Sequence, residues 1–239
     1  MRAVVRLRRV RRRILRRVEI FFWFAAILLL GLYGLVYLDR TVFQSYQSWA
    51  FDRKLENKPA SVLEFLPHAL RGEHSRRRSS DPPEAFARPA PAVSSALPQG
   101  ALIGRIEIPS VGIEAMVVNG TTDSYLSRAV GHIEGTALPG SPGNVGLAGH
   151  RDTFFRGLKS IRQGDVIVVR TLEGSHRYVV DGLSIVGPLD VQVLAASSAR
   201  TLTLVTCYPF NYVGSAPRRF IVSAREVAST EATPPPRGS

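Results

Sequence analysis

The sequence predicts a mainly β domain carried behind a single N-terminal helix long enough to cross a membrane. Three observations carry this reading. Residues 20–38, IFFWFAAILLLGLYGLVYL, contain no charged side chain. From Ala101 to about Val227, short apolar runs alternate with Gly, Pro, Asn and Asp, the texture of strands separated by turns. Between them, Lys58 to Gly100 hold seven prolines (59, 67, 82, 83, 89, 91, 98) and the basic run Arg76-Arg77-Arg78, with neither a helical nor a strand period.

The N-terminal segment is strongly basic. The chain's net charge is +12, and residues 1–19 supply +8 of it through nine arginines set against Glu19. A tail of this kind suits nucleic acid, but the uncharged run that follows gives the arginines another role. A helix over residues 20–38 spans about 28 Å, close to the hydrocarbon thickness of a bilayer. Trp23, Tyr33 and Tyr37 lie toward its ends, where aromatic rings favour the interface. The positive-inside rule keeps the arginines cytoplasmic and puts everything after Leu38 outside. A cleaved signal peptide needs a shorter apolar stretch and a small-x-small site, and the following DRTVFQSYQSW offers none.

The expected organisation follows. Residues 1–19 are a cytoplasmic basic segment and 20–38 a transmembrane helix. Residues 39–100 form an extracytoplasmic linker, largely disordered, whose first part (41–57) is able to prolong the anchor helix. The linker reads as a plain tether rather than a lid. Residues 101–226 form the folded domain and 227–239 a solvated tail.

Within the domain, strands are predicted at 102–108, 113–118, 145–149, 166–171, 177–186, 201–206 and 219–224. Short helices are predicted at 124–130, after a Gly-Thr-Thr-Asp cap, at 152–159 and at 190–196. Seven or eight strands in about 127 residues favour a sandwich or a closed barrel over a βαβ sheet.

The single cysteine, Cys207, ends the strand-like run TLTLVTCYPF. An exported domain sits where disulfides form, and one cysteine cannot make an internal one. It is either a small buried hydrophobe or a nucleophile. A thiol nucleophile needs a partner for its proton and a donor for the charge that develops on a substrate carbonyl. His68 and His74 lie in the linker, His176 in EGSHRY reads as a solvated hairpin turn, and His132 precedes a Pro-Gly loop. His150 closes NVGLAGHRD at a strand end, the same kind of position as Cys207, and is the best candidate of the five. If strands 201–206 and 219–224 are antiparallel neighbours, Cys207 lies near Arg219. Arg218 is the alternative, because adjacent strand residues face opposite ways. A structural histidine and a solubilising arginine are the ordinary readings of these residues, and both stay open here.

LAGHRDTFF, TLTLVTCYPF and APRRFIVSA resemble the His, Cys and Arg motifs of the sortases, membrane-anchored cysteine transpeptidases with an eight-stranded β-barrel. The order His–Cys–Arg is similar, as is the TL-x-x-TC approach to the cysteine. The Tyr-Pro-Phe that follows the cysteine most resembles class D sortases. The resemblance covers roughly residues 101–226. It implies a closed eight-stranded barrel with short helices, and it implies roles. Cys207 would form an acyl thioester with a Leu-Pro-x-Thr-Gly-like sorting signal of an exported protein. His150 would exchange protons with the leaving and incoming amines. Arg219 would hold substrate and stabilise the oxyanion, and Thr206 would line the pocket. The acceptor would be an amine of peptidoglycan or of a protein subunit.

No cofactor and no metal is expected, since the histidines are scattered and no acidic run resembles a calcium loop. L,D-transpeptidases approach their cysteine through Ser-x-Gly-Cys, where this chain has Leu-Val-Thr-Cys, and papain-like enzymes place Cys before His. A catalytically inactive, membrane-tethered barrel that binds envelope peptide or polymer is the alternative from another class, and the intact Cys, His and Arg weigh against it.

Overall fold

A computed structural model of the chain describes residues 2–56, 58, 65, 97–212 and 214–227. Most of the expected linker, the tail beyond Val227, His68 and His74 lie outside the described residues. The chain divides into two compact units, Met1–Phe43 and Gln44–Ser239. Helix α1 runs from Arg2 to Leu55 without interruption. No proline occurs before Pro59 to end it. Among the described residues it is the one helix long and apolar enough to cross a membrane.

The second unit is a closed barrel, which decides between the two β architectures left open by the strand pattern. Its strands are β1 (Leu102–Ile108), β2 (Ile113–Asn119), β3 (Val130–His132), β4 (Asn144–Ala148), β5 (Val166–Thr171), β6 (Ser175–Val186), β7 (Thr201–Tyr208) and β8 (Arg218–Glu226). They close in the order β1-β2-β3-β4-β7-β8-β6-β5. The eighth strand is β3, whose three residues are too short to show alternation in the sequence. The helix predicted at 124–130 stops early, as α2 (Asp123–Leu126), and the residues after it form β3. At the other two predicted helices, short 3₁₀ turns occupy Arg156–Ser160 and Val191–Leu194.

Alternation along each strand builds the core. On β5, Ile167 and Val169 are buried while their neighbours are half-exposed. Leu202 and Leu204 of β7 lie opposite Ala224 and Val222 of β8, and all four belong to the core cluster. Most neighbouring strands are antiparallel, but β2–β3 and β4–β7 are parallel. The second of these matters for the site, because parallel neighbours finish at the same end of the barrel.

The last turns of α1, from Gln44 on, belong to the barrel unit and dock on β1 and β2. Gln44 Oε1 accepts from the Met116 N–H at 2.9 Å, and its Nε2 donates to the Arg128 carbonyl. Arg105 on β1 donates through Nη2 to the Ser48 hydroxyl at 2.7 Å, the Ser48 carbonyl at 3.1 Å and Asp52 at 2.8 Å. The same guanidinium lies 5.5 Å from the centre of the fully buried Phe51 ring. Phe65 adds its ring against Tyr46 and Trp49. Residues 44–55 therefore prolong the helix, as the sequence allows, and pack against β1 and β2.

This packing has a measurable weight. In the 44–239 unit, Phe51→Ala is expected to cost about 3–5 kcal/mol, as deletion of a buried aromatic does. Arg105→Met, which removes the hydrogen bonds to Ser48 and the half-exposed Asp52, is expected to cost about 0.5–1.5 kcal/mol. Thermal unfolding reads both, at about 2–4 °C per kcal/mol for a chain of this size. A free tether would leave the Tm unchanged by either substitution.

Candidate active site

Three strands deliver the candidate groups to one end of the barrel. Parallel pairing aligns β4 with β7 so that Ala148 lies opposite Val205. The alignment continues past the strand end, where the Gly149 N–H donates to the Val205 carbonyl at 3.2 Å. Two residues beyond the Ala148–Val205 pair stand His150 on one chain segment and Cys207 on the other. On the other side of β7, antiparallel β8 sets Cys207 directly opposite Arg219, and Tyr208 opposite Arg218.

The alternation of β7 decides which side chains share a face. Leu202 and Leu204 point into the core, so Thr206 and Tyr208 share the inner face, while Thr203, Val205 and Cys207 face outward. Directly opposed residues put their side chains on the same face, so Arg219 accompanies Cys207 and Arg218 accompanies Tyr208. Tyr208, Phe210 and Phe220 form an aromatic cluster at the barrel end, with ring centroids 5.4–6.4 Å apart. The segment after β6 crosses the outer face of β4 and β7. Asn144 Nδ2 donates to the Val193 carbonyl at 3.1 Å, and the Thr203 hydroxyl to Asn144 Oδ1 at 2.9 Å. Thr203 is thereby covered, whereas Cys207, further along the same face, stays half-exposed with a free thiol.

Thr206 precedes Cys207 on β7. It is buried, on the inner face, and its hydroxyl donates to the Gly149 carbonyl at 2.7 Å. Its one proton is committed to tying the ends of β4 and β7 together.

His150 sits in a tight turn. Its carbonyl accepts from the Thr153 and Phe155 N–H groups at 3.4 and 3.1 Å. The turn folds the fully buried Phe155 ring under Gly149, where a Cβ would stand 2.8 Å from the ring. The Gly-His step in LAGHRD is thus a requirement of close packing. No hydrogen bond joins the His150 ring to the Cys207 thiol among the described residues. Arg219 Nη1 donates to the carbonyls of Ala216 (3.2 Å) and Arg218 (3.1 Å), which orders the start of β8. A guanidinium carries five N–H donors, so others remain for a ligand.

A thiol, an imidazole and a guanidinium on one half-open strand end are the parts of a cysteine acyl-transfer site. A family model, described as a sortase domain, matches residues 106–227. The chain belongs to the sortase family. Among its relatives, Sortase D of Bacillus subtilis (strain 168) is 35% identical over 129 residues, which make up 54% of this chain and 65% of that protein. That match spans just under two thirds of the relative's length. Sortase A of Bacillus anthracis is 28% identical over 185 residues, 75% of this chain and 84% of that protein. The solved structure of a Clostridium perfringens Sortase D5 transpeptidase is similar with a TM-score of 0.51 at 31% identity, covering 55% of this chain and 82% of that one. The class D likeness read from Tyr-Pro-Phe is thus supported by both kinds of comparison.

The other described histidines have structural surroundings. His176 lies within β6 rather than in a solvated turn, as the sequence suggested. Its Nδ1 is 3.1 Å from Glu226 Oε1, and its ring fills the space beside Gly140. His132 on β3 is buried, with Nδ1 3.2 Å from Asn119 Oδ1 and Nε2 2.9 Å from the Ala137 carbonyl. Burial holds the His132 pKa below the ordinary 6.5, against smaller upward pulls from the Ala137 carbonyl and Glu134.

The His132 contribution to stability is fully present above the unfolded-state pKa of about 6.5, and is lost as pH falls from there through the lower folded-state value, because the unfolded chain takes up a proton that the folded one resists. Urea midpoints of the 44–239 unit are expected to drop between pH 7 and pH 5. His132→Gln is expected to flatten that slope, and an unchanged slope would remove His132 as a cause.

Proposed function

We propose that this protein is a membrane-anchored transpeptidase. It cleaves a Leu-Pro-x-Thr-Gly-like sorting signal of exported proteins and passes the acyl fragment to an amine of the cell wall or of a protein subunit. The observation that supports this most is the register of β7. It sets Cys207 opposite Arg219 on one neighbour and level with the His150 turn on the other.

In this reading the Cys207 thiolate attacks the carbonyl carbon of the scissile peptide bond. The oxygen, carrying the negative charge, accepts hydrogen bonds from the Arg219 guanidinium on the same face. The C–N bond breaks as His150, protonated, gives its proton to the leaving amine, and a thioester to Cys207 remains. The acceptor amine then loses a proton to His150 and attacks the thioester carbon, and Cys207 leaves as thiolate. A thioester suits this task because it is reactive enough for an amine to displace. The segment between β6 and β7, which crosses this face, carries the highly exposed Leu189 and Val191 (88% and 71%), apolar surface fit for the leucine of such a signal. The apolar part of α1 is the anchor, with its arginine-rich start on the cytoplasmic side and the barrel outside.

Cleavage and transfer of a fluorescent Leu-Pro-x-Thr-Gly-like peptide to an amine test this. Cys207→Ala and His150→Ala are expected to abolish transfer, and Cys207→Ala to form no hydroxylamine-sensitive thioester. Retained transfer by Cys207→Ala would sink the proposal. Arg219→Ala is expected to lower the turnover about 10²–10³-fold, as loss of an oxyanion donor does. Arg218→Ala is expected to stay within about twofold of the parent, as exposed substitutions usually do. Equal losses from the two arginines would overturn the face assignment.

A further inference from the structure

We propose that Arg151 is a positioning residue of this site, clamping the His150 turn onto the loop that leads from Cys207 to Arg219. The inference rests on the reading of Cys207 and His150 as the reacting pair.

His150 is attached to the cysteine strand on both sides. The residue before it, Gly149, accepts the Thr206 hydroxyl at 2.7 Å, one residue before Cys207. The residue after it, Arg151, reaches across to the loop that follows β7. Its Nη2 donates to the Tyr212 carbonyl at 2.7 Å and to the Gly214 carbonyl at 3.0 Å, and its guanidinium lies 5.7 Å from the centre of the Tyr212 ring.

Several features point to positioning rather than to surface charge. Arg151 forms no ion pair with a carboxylate among the described residues, so the guanidinium is given over to loop carbonyls. Its Nη1 is buried and makes no hydrogen bond among the described residues, so the attachment depends on Nη2 and the ring contact. The far end of the same loop is held by Arg219, through the Ala216 carbonyl. The two arginines therefore bind successive carbonyls along the loop, Arg151 those of Tyr212 and Gly214 and Arg219 that of Ala216. Gly214, with φ +103, supplies the left-handed backbone that the loop takes between them. Without Arg151 the Thr206–Gly149 bond would still align the strands, but the His150 turn would lose its link to the loop.

The test uses the full chain in detergent micelles and the pH dependence of Cys207 alkylation by iodoacetamide, which needs no peptide substrate. The proteins are the parent, Arg151→Ala, Arg151→Lys, His150→Ala and the double variant Arg151→Ala/His150→Ala. Arg151→Ala is expected to move the alkylation profile in the same direction as His150→Ala, and the double variant to move it no further than His150→Ala alone. In peptide transfer, Arg151→Ala is expected to lower kcat about tenfold or more with KM nearly unchanged, the mark of lost geometry rather than lost binding. Lysine, a single point of charge, is expected to restore only part of this. If Arg151→Ala does not fold, Arg151→Lys carries the same comparison at an unchanged Tm.

An Arg151 variant with the parent's alkylation profile, while His150→Ala alters it, overturns the clamp. So does full additivity in the double variant. A profile that His150→Ala itself leaves unmoved overturns the His150–Cys207 pairing, and the clamp with it, and is recognised by that variant alone.

Discussion

The whole site depends on the register of one strand. β7 is hydrogen-bonded to β4 in parallel and to β8 antiparallel, and both registers are in step at its end. A strand's side chains alternate with a period of two, so a slip of one residue would send Cys207 into the core and bring Thr206 to the surface. The core opposes such a slip. Leu202 and Leu204 on β7 meet Ala224 and Val222 on β8, all buried, and moving them outward would expose apolar surface along the full length of the pair. Barrel closure adds to this, because the shear of a closed sheet is shared by every strand. The placement of Cys207 opposite Arg219 is a by-product of core packing several residues away.

Mixed direction is what makes the arrangement possible. With antiparallel neighbours only, the end of one strand lies beside the start of the next, and a site can draw on one chain end and one chain start. With β4 parallel to β7, two chain ends and one start meet, and each then leaves the sheet in its own turn. These turns are where special backbone is needed. Gly149 makes room for the Phe155 ring, and the His150 carbonyl closes the turn by accepting two N–H groups. Cys207 and Arg219, by contrast, lie inside their strands. The proposed nucleophile and its proposed anion-binding partner therefore sit on strand backbone, while the proposed proton carrier sits on a turn held by packing.

Much of this was legible in the sequence, for identifiable reasons. Seven strands showed their alternation, and the apolar run of α1 has no charge to disguise it. His150 and Cys207 stood out because both close strand-like runs. The choice between Arg218 and Arg219 needed the register, since either could follow Cys207 across a loop of that length. β3 was missed because three residues carry no period. The inward face of Thr206 follows from strict alternation with Leu202 and Leu204, whereas its pocket role came from the family resemblance alone. His176 looked like a turn residue only because the β5–β6 hairpin is tighter than Glu-Gly-Ser-His suggested, and the strand starts at Ser175. The docking of residues 44–55 left a fainter trace. Phe51 and Ala50 pack inward and Arg105 reaches out from β1, but their pairing joins segments more than fifty residues apart, which no local pattern reports.

The outward placement of Cys207 also bears on the chemistry. A barrel interior packed with Leu, Ile and Val excludes water but admits no substrate, and a thiol there would be inert. On the outer face the thiol is half-exposed, and the β7–β8 loop begins just after it. Two different chains, an acyl donor and an amine, must reach the same sulfur in turn, and an open strand end allows both approaches. Such openness also admits water, which competes with the amine for the thioester. The outcome then rests on how well the acceptor is oriented against His150, since a held nucleophile gains by effective concentration what free water has by abundance. On the proposed mechanism, control of the His150 turn would be control of the partition between transfer and hydrolysis. The groups that hold this turn are the Phe155 ring beneath Gly149, the Thr206 hydroxyl and the Arg151 guanidinium.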